Sequence, residues 1–130
     1  MRIVTLLAVV LLGGCTLADA YLMRYDTNEY RLITEIRVDS SIYKTQCASP
    51  ISEYNATQLA YKTELFEKLT KELPHNENNY HAAVSLNQIA KGLVDRYKKG
   101  NVPELFCRLK FGAIESSSEV IQHVTGDKPK

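Results

Sequence analysis

Tyr30 to Cys47 reads YRLITEIRVDSSIYKTQC, and two periods compete within it. Tyr30, Leu32, Thr34, Ile36 and Val38 alternate as one face of a strand would. Ile33, Ile36, Ser40, Tyr43 and Cys47 keep the three-and-four spacing of a helix seam. Length decides between them, because the alternation stops at Ser40 while the helical spacing runs for about fifteen residues and ends on the cysteine. Asp26, with Glu29 three residues later, offers a capping-box start. The stretch is therefore a helix, and that choice makes the chain all-α.

Reading outward toward the C-terminus, Ala48-Ser49-Pro50 punctuates the chain, and a second helix is expected from Ser52 to Leu73. Leu59, Lys62, Phe66, Leu69 and Leu73 lie along one side of it with Leu65 beside them, and Pro74 stops it. His75 to Asn79 is polar and turn-rich. Tyr80, Ala83, Leu86 or Asn87, Ala90, Leu93 or Val94, and Tyr97 then outline a third helix, closed by Gly100 at a C′ position. Asn101, Pro103 and Glu104 look like another capping-box start. The fourth helix would carry Leu105, Leu109, Ala113, Ser117, Val120, Ile121 and Val124 along one face, with Gly126 at its end and residues 127–130 as a frayed tail. Four helices with short connections favour an antiparallel up-down bundle.

Toward the N-terminus the composition changes. Met1 and Arg2 precede Ile3 to Leu12, an uncharged run interrupted only by Thr5. Ten helical residues would reach only about 15 Å, half of a roughly 30 Å hydrocarbon core, so the run reads as a signal peptide rather than a span. Leu12-Gly13-Gly14-Cys15 follows at once and resembles the lipobox of bacterial lipoproteins. That resemblance implies removal of residues 1–14, a diacylglyceryl thioether with acyl chains such as palmitate on Cys15, and a tether over residues 15–25 leading to a bundle domain over 26–126. Thr16 after the cysteine, rather than Asp, resembles the signal that sends lipoproteins to the outer membrane, on its periplasmic face. The alternative is cleavage at Ala18-Asp19-Ala20, before Tyr21, which would release a soluble secreted protein.

Export bears on the remaining cysteines. With Cys15 lipidated or discarded, Cys47 and Cys107 form an even pair, and one bridge between them is expected in an oxidising compartment. Closing a loop of roughly 60 residues would restrict the unfolded chain by about 4 kcal/mol in the entropy model. The alternative is two separate buried thiols. In an up-down bundle the end of the first helix and the start of the fourth lie at the same end, where Cys47 and Cys107 stand. About 115 residues remain after processing, enough for one domain and too few for two. Their 15 basic residues, once Arg2 is removed, balance 15 acidic ones, so bulk charge points to no nucleic acid. Trp is absent and Tyr occurs eight times, a composition suited to amphipathic surfaces.

Signatures of catalysis are missing: there is no G-x-S-x-G, H-E-x-x-H, P-loop or C-x-x-C. No enzyme activity, catalytic residue, metal site or cofactor is expected. His75, His81 and His123 stand alone in the sequence, and solitary histidines are mostly solvated or structural. Met23 and His123 resemble the axial ligands of a periplasmic four-helix b-type haem protein, but Met23 precedes the first helix. His123 also projects roughly 110° from the Val120, Ile121, Val124 stripe at about 100° per residue. Asn55-Ala56-Thr57 matches a glycosylation sequon that would matter only in a eukaryotic secretory route. The Glu64, Glu67, Lys68, Lys71, Glu72 run is a solvated helix face.

The layout is similar to that of the small helical pilotins of type II secretion systems, carried here by Leu12-Gly13-Gly14-Cys15, by Ile33 to Cys47, and by Val102-Pro103-Glu104-Leu105-Phe106-Cys107. The segment after Cys107 is longer than that pattern has. The resemblance implies a lipid-anchored, non-enzymatic adaptor that binds the amphipathic tail of an outer-membrane secretin subunit in an apolar groove between helices. Leftover Tyr and Leu side chains would line the groove. A rival reading is a phage or plasmid lipoprotein that blocks a receptor, excludes superinfection or assists lysis by steric binding.

Overall fold

The computed structural model describes residues 23–130. The expected signal, Cys15 and the Ala18-Asp19-Ala20 site lie outside the described residues. The competing periods in 30–47 resolve as helix: α1 spans Thr27–Lys44, followed by α2 Ser52–Glu72, α3 Glu77–Lys98 and α4 Glu104–Gly126. No strand occurs among the described residues. Each helix packs on two neighbours, α1 on α2 and α4, and α3 on α2 and α4, so the four form a closed up-down ring.

Local chemistry sets the ends. The Asp26 carboxylate accepts from the Glu29 N–H at 2.8 Å and opens α1. Leu73 leaves α2 in extended conformation just before Pro74. Gly100, at φ 129°, follows the α3 C-cap Lys99, a conformation that favours glycine. The interior is built from Ile33, Ile36, Leu59, Phe66, Ala83, Leu86, Ala90, Leu93, Phe111, Ile114 and Ile121. Cys47 and Cys107 are bridged, with Cα atoms 5.8 Å apart, at the end where α1 finishes and α4 begins.

Five expectations are corrected. The largest concerns α4, whose inward face is Cys107, Phe111, Ile114, Ser118, Ile121 and Thr125. Leu105, Leu109, Val120 and Val124, expected in the core, are 44 to 64% exposed. The reason is that hydroxyl side chains inside a helix bundle can bond to their own preceding turn. Ser118 Oγ donates to the Ile114 carbonyl at 2.6 Å and Thr125 Oγ1 to that of Ile121 at 2.7 Å, so both are buried without an unpaired group. The same device rotates α2, which buries Thr63 and Thr70 while Leu65 stays exposed and Lys62, Leu69 and Leu73 are only half-buried. Third, α3 begins at Glu77, not Tyr80, so Asn79 belongs to its first turn and is buried.

Fourth, neither capping box closes fully. Pro103 is the N-cap of α4 and makes no side-chain cap, and the Glu29 carboxylate turns into the interior. Fifth, residues 127–130 do not fray. Lys128 is buried, its ammonium 2.6 Å from Glu29 Oε2 and 2.6 Å from Asn76 Oδ1, and the Pro129 carbonyl accepts from the Tyr25 N–H at 2.9 Å. Both ends of the described chain are therefore tied together at the end of the bundle opposite the disulfide.

Candidate functional site

Rotation of α4 leaves an apolar strip of Leu105, Leu109, Val120 and Val124 outside, and Val120 in that strip borders a groove. Ala82, Ser85, Leu86 and Ile89 of α3 face Ser117, Val120 and Ile121 of α4 across a cavity of about 280 Å³. The groove exists because the opposing positions are short: Ala82 and Ser85 on one wall and Ser117 on the other leave the helices' larger side chains apart. Its floor, Leu86 and Ile121, belongs to the core, while Val120 stands on the rim. Successive residues turn by about 100°, so Leu105, Leu109, Ala113, Val120 and Val124 share one outward arc of α4. A contiguous apolar strip of this kind next to a concave apolar cleft is the usual form of a site for another helix.

Toward the disulfide end the strip meets positive charge. The half-buried Phe106 ring has the Arg96 guanidinium carbon 6.0 Å and the Lys110 ammonium 5.4 Å from its centroid. On the opposite side of α4, contacts to α1 are polar. Arg37 donates to Gln122 Oε1 at 2.8 Å and pairs with Glu119 at 3.1 Å, and Lys44 pairs with Glu115. The hydrogen bond from Lys44 holds the Glu115 carboxyl below its ordinary range, against a smaller opposing effect of burial. Burial pulls Lys62 down, but its hydrogen bond and charge pairing with Asp39, with Glu35 behind, leave it raised. Burial, then the Asp39 charge, raises the Tyr43 hydroxyl.

The end opposite the disulfide carries a buried polar cluster. Glu29 Oε1 accepts from Asn76 Nδ2 and Asn79 Nδ2, each at 2.8 Å, and Asn79 Nδ2 also reaches Thr125 Oγ1 at 3.0 Å. With Lys128 on the second carboxylate oxygen, the start of α3 and the residues after α4 converge on the α1 carboxylate, and α4 joins them through Thr125 on Asn79. No buried side-chain nitrogen or oxygen among the described residues is left without a partner, so the cluster is a closed structural knot with no group aimed at a ligand. Beside it, Tyr30, Arg37, Gln122, His123, Gly126 and Asp127 line a polar cleft of about 300 Å³.

Cys15 lies outside the described residues, and Cys47 and Cys107 are joined. The three histidines are exposed and on different elements: His75 precedes α3, His81 is in it and His123 is in α4. His123 points away from the inward face of α4, the wrong direction for a ligand to an interior haem, and Met23 is half-buried before α1. No three His, Cys, Asp or Glu side chains among the described residues come together as a metal site. Asn55 is buried within α2, bonded to Gln46 Oε1 at 2.7 Å, so the sequon is inaccessible to modification in the folded chain. Neither tyrosines nor leftover leucines line the cleft: its one leucine, Leu86, belongs to the core, and the rest of its lining comes from Ala, Ser, Ile and Val positions whose one sequence signal is small residues at helical spacing. No helix among the described residues is long and apolar enough to cross a membrane. Comparison with known proteins finds no matching family model, no similar curated protein and no similar solved structure.

Proposed function

We propose that this chain is a non-catalytic adaptor, held at the periplasmic face of an outer membrane by a lipid on Cys15, that takes an amphipathic helix of an envelope protein into the groove between α3 and α4. The observation that carries the reading is the exposed strip Leu105, Leu109, Val120 and Val124 alongside the apolar cleft. Fully burying a Val or Leu side chain is worth about 1.5–3 kcal/mol, so a partner covering this strip gains enough to offset ordering costs. A helix is the fitting occupant because the cleft runs between two helices, as a third helix's ridge would require.

The lipobox-like Leu12-Gly13-Gly14-Cys15 supports the anchor, and the pilotin-like layout supports an outer-membrane client. Two or more acyl chains suffice for durable attachment at about 0.8 kcal/mol per buried CH₂. The chain enters the bundle at the Glu29 end, so the lipid would hold the nearer half of the α3–α4 groove toward the membrane.

Two measurements test this. Mass spectrometry of the processed protein is expected to find acylated Cys15 as the first residue; a start at Tyr21 without acyl groups overturns the anchor. A photo-crosslinker at Val120 is expected to attach to an amphipathic helix of an outer-membrane protein, whereas one at Lys68 is not. Equal labelling from both positions, or labelling of no such helix, overturns the groove reading.

A further inference from the structure

Resting on that groove reading, we infer that the docking helix is acidic at its C-terminal end, and that Arg96 and Lys110 set its direction by receiving that end over Phe106. Most cations on the helix surfaces have a carboxylate: Arg31 with Glu35, Arg37 with Glu119, Lys44 with Glu115, Lys62 with Asp39, Lys68 and Lys91 with Glu64, and Arg108 with Glu104. Lys71, Arg96, Lys98, Lys99 and Lys110 have none within ion-pair distance among the described residues, although Asp95 is adjacent to Arg96 in sequence. Lys71 lies in the last turn of α2, and the other four gather where α3 ends and α4 begins.

Three of the four have an ordinary explanation, since Arg96, Lys98 and Lys99 complement the carbonyl end of α3. Lys110 does not. It stands in the second turn of α4, near a positive helix end, yet shares the Phe106 ring with Arg96. Two cations on one ring, with exposed Leu105 and Leu109 close by on α4, form a basic head on an apolar groove. Its complement is an apolar helix carrying carboxylates at one end. A helix presents its negative pole at its C-terminus, so carboxylates in the last turn add to the attraction and carboxylates in the first turn oppose it. The docked helix then runs parallel to α3 and antiparallel to α4.

An anionic membrane is the less suitable partner, because the chain enters the bundle at the opposite end, beside Tyr25 and Pro129. Nucleic acid would call for cations spaced along a backbone track rather than gathered at the head of an apolar strip.

The test uses the full processed protein and four labelled 18-residue peptides, each with Leu on one helical face and Gln or Ala elsewhere. One carries three Glu in the last turn, one three Glu in the first turn, one three Lys in the last turn, and one no charge. Fluorescence anisotropy at low salt is expected to show the last-turn Glu peptide binding about tenfold more tightly than the uncharged one, and the first-turn Glu and last-turn Lys peptides gaining nothing. The R96E/K110E variant is expected to transfer the preference to the Lys peptide, with circular dichroism confirming that it folds. Equal affinity of the Glu and uncharged peptides, or an unchanged preference in R96E/K110E, overturns the inference while leaving the groove in place. If Ile89→Glu leaves binding of every peptide intact, the groove reading itself fails. A loss in R96E/K110E confined to phosphatidylglycerol vesicles would assign the cations to lipid and overturn the inference as well.

Discussion

The two ends of the bundle are closed in opposite ways. At one, α1 and α4 are joined covalently through Cys47 and Cys107; at the other they are joined through a buried Glu29–Lys128 pair supported by Asn76, Asn79 and Thr125. The covalent closure acts mainly by restricting the unfolded chain and asks little of its surroundings. The ionic closure acts in the folded state alone and depends on every member being satisfied, because a buried charge without its partner is costly. One bundle thus has an end that answers to redox conditions and an end that answers to side-chain chemistry.

The largest expected effect comes from opening the covalent end. Reduction, or Cys47→Ala with Cys107→Ala, should lower unfolding stability by about 4 kcal/mol in urea titration. Amide exchange should then rise first around residues 44–52 and 103–107 while the Glu29 end stays protected; uniform exchange along the chain would show that the ends are not independent. Next, Lys128→Met should cost about 3 kcal/mol by stranding the Glu29 carboxylate, and adding Glu29→Gln should restore part of that. A loss below 1 kcal/mol would mean that residues 127–130 do not hold the bundle closed.

The smallest effect lies between the ends, on the α1–α4 seam. The Lys44 bond depresses the Glu115 pKa, so its contribution is fully present above the ordinary carboxyl value near 4.5 and disappears as pH falls through the lowered value. The pair is partly exposed, so Glu115→Gln should cost only about 0.2–1 kcal/mol at pH 7 and nothing once the carboxyl is protonated, as thermal melts across that range would show. An equal loss at both pH values would assign the effect to packing.

Particular residues show how far the sequence could be read. Pro74 and Gly100 act through their own backbones, so the ends of α2 and α3 were legible in advance. The inward face of α4 was not, because Ser118 and Thr125 look like surface residues until each bonds back to its own helix, while Leu105 and Leu109 look like core. Glu29 announced itself as half of a capping box, and its actual partners are 47, 50 and 99 residues away. The cleft between α3 and α4 had no signature in the sequence beyond small residues at helical spacing, because its lining depends on that rotation.

Composition, spacing and punctuation were enough to determine four helices in up-down order and a cysteine pair at a common end, since those depend on periodicity and on residues that start or stop a helix locally. Only the tertiary structure decided which arc of each helix faces inward, which charges are buried together and which apolar strip stays exposed. Helical period says that a face exists, but when hydroxyls can be buried without loss and leucines can stay outside, the choice among faces belongs to the joint packing of all four helices.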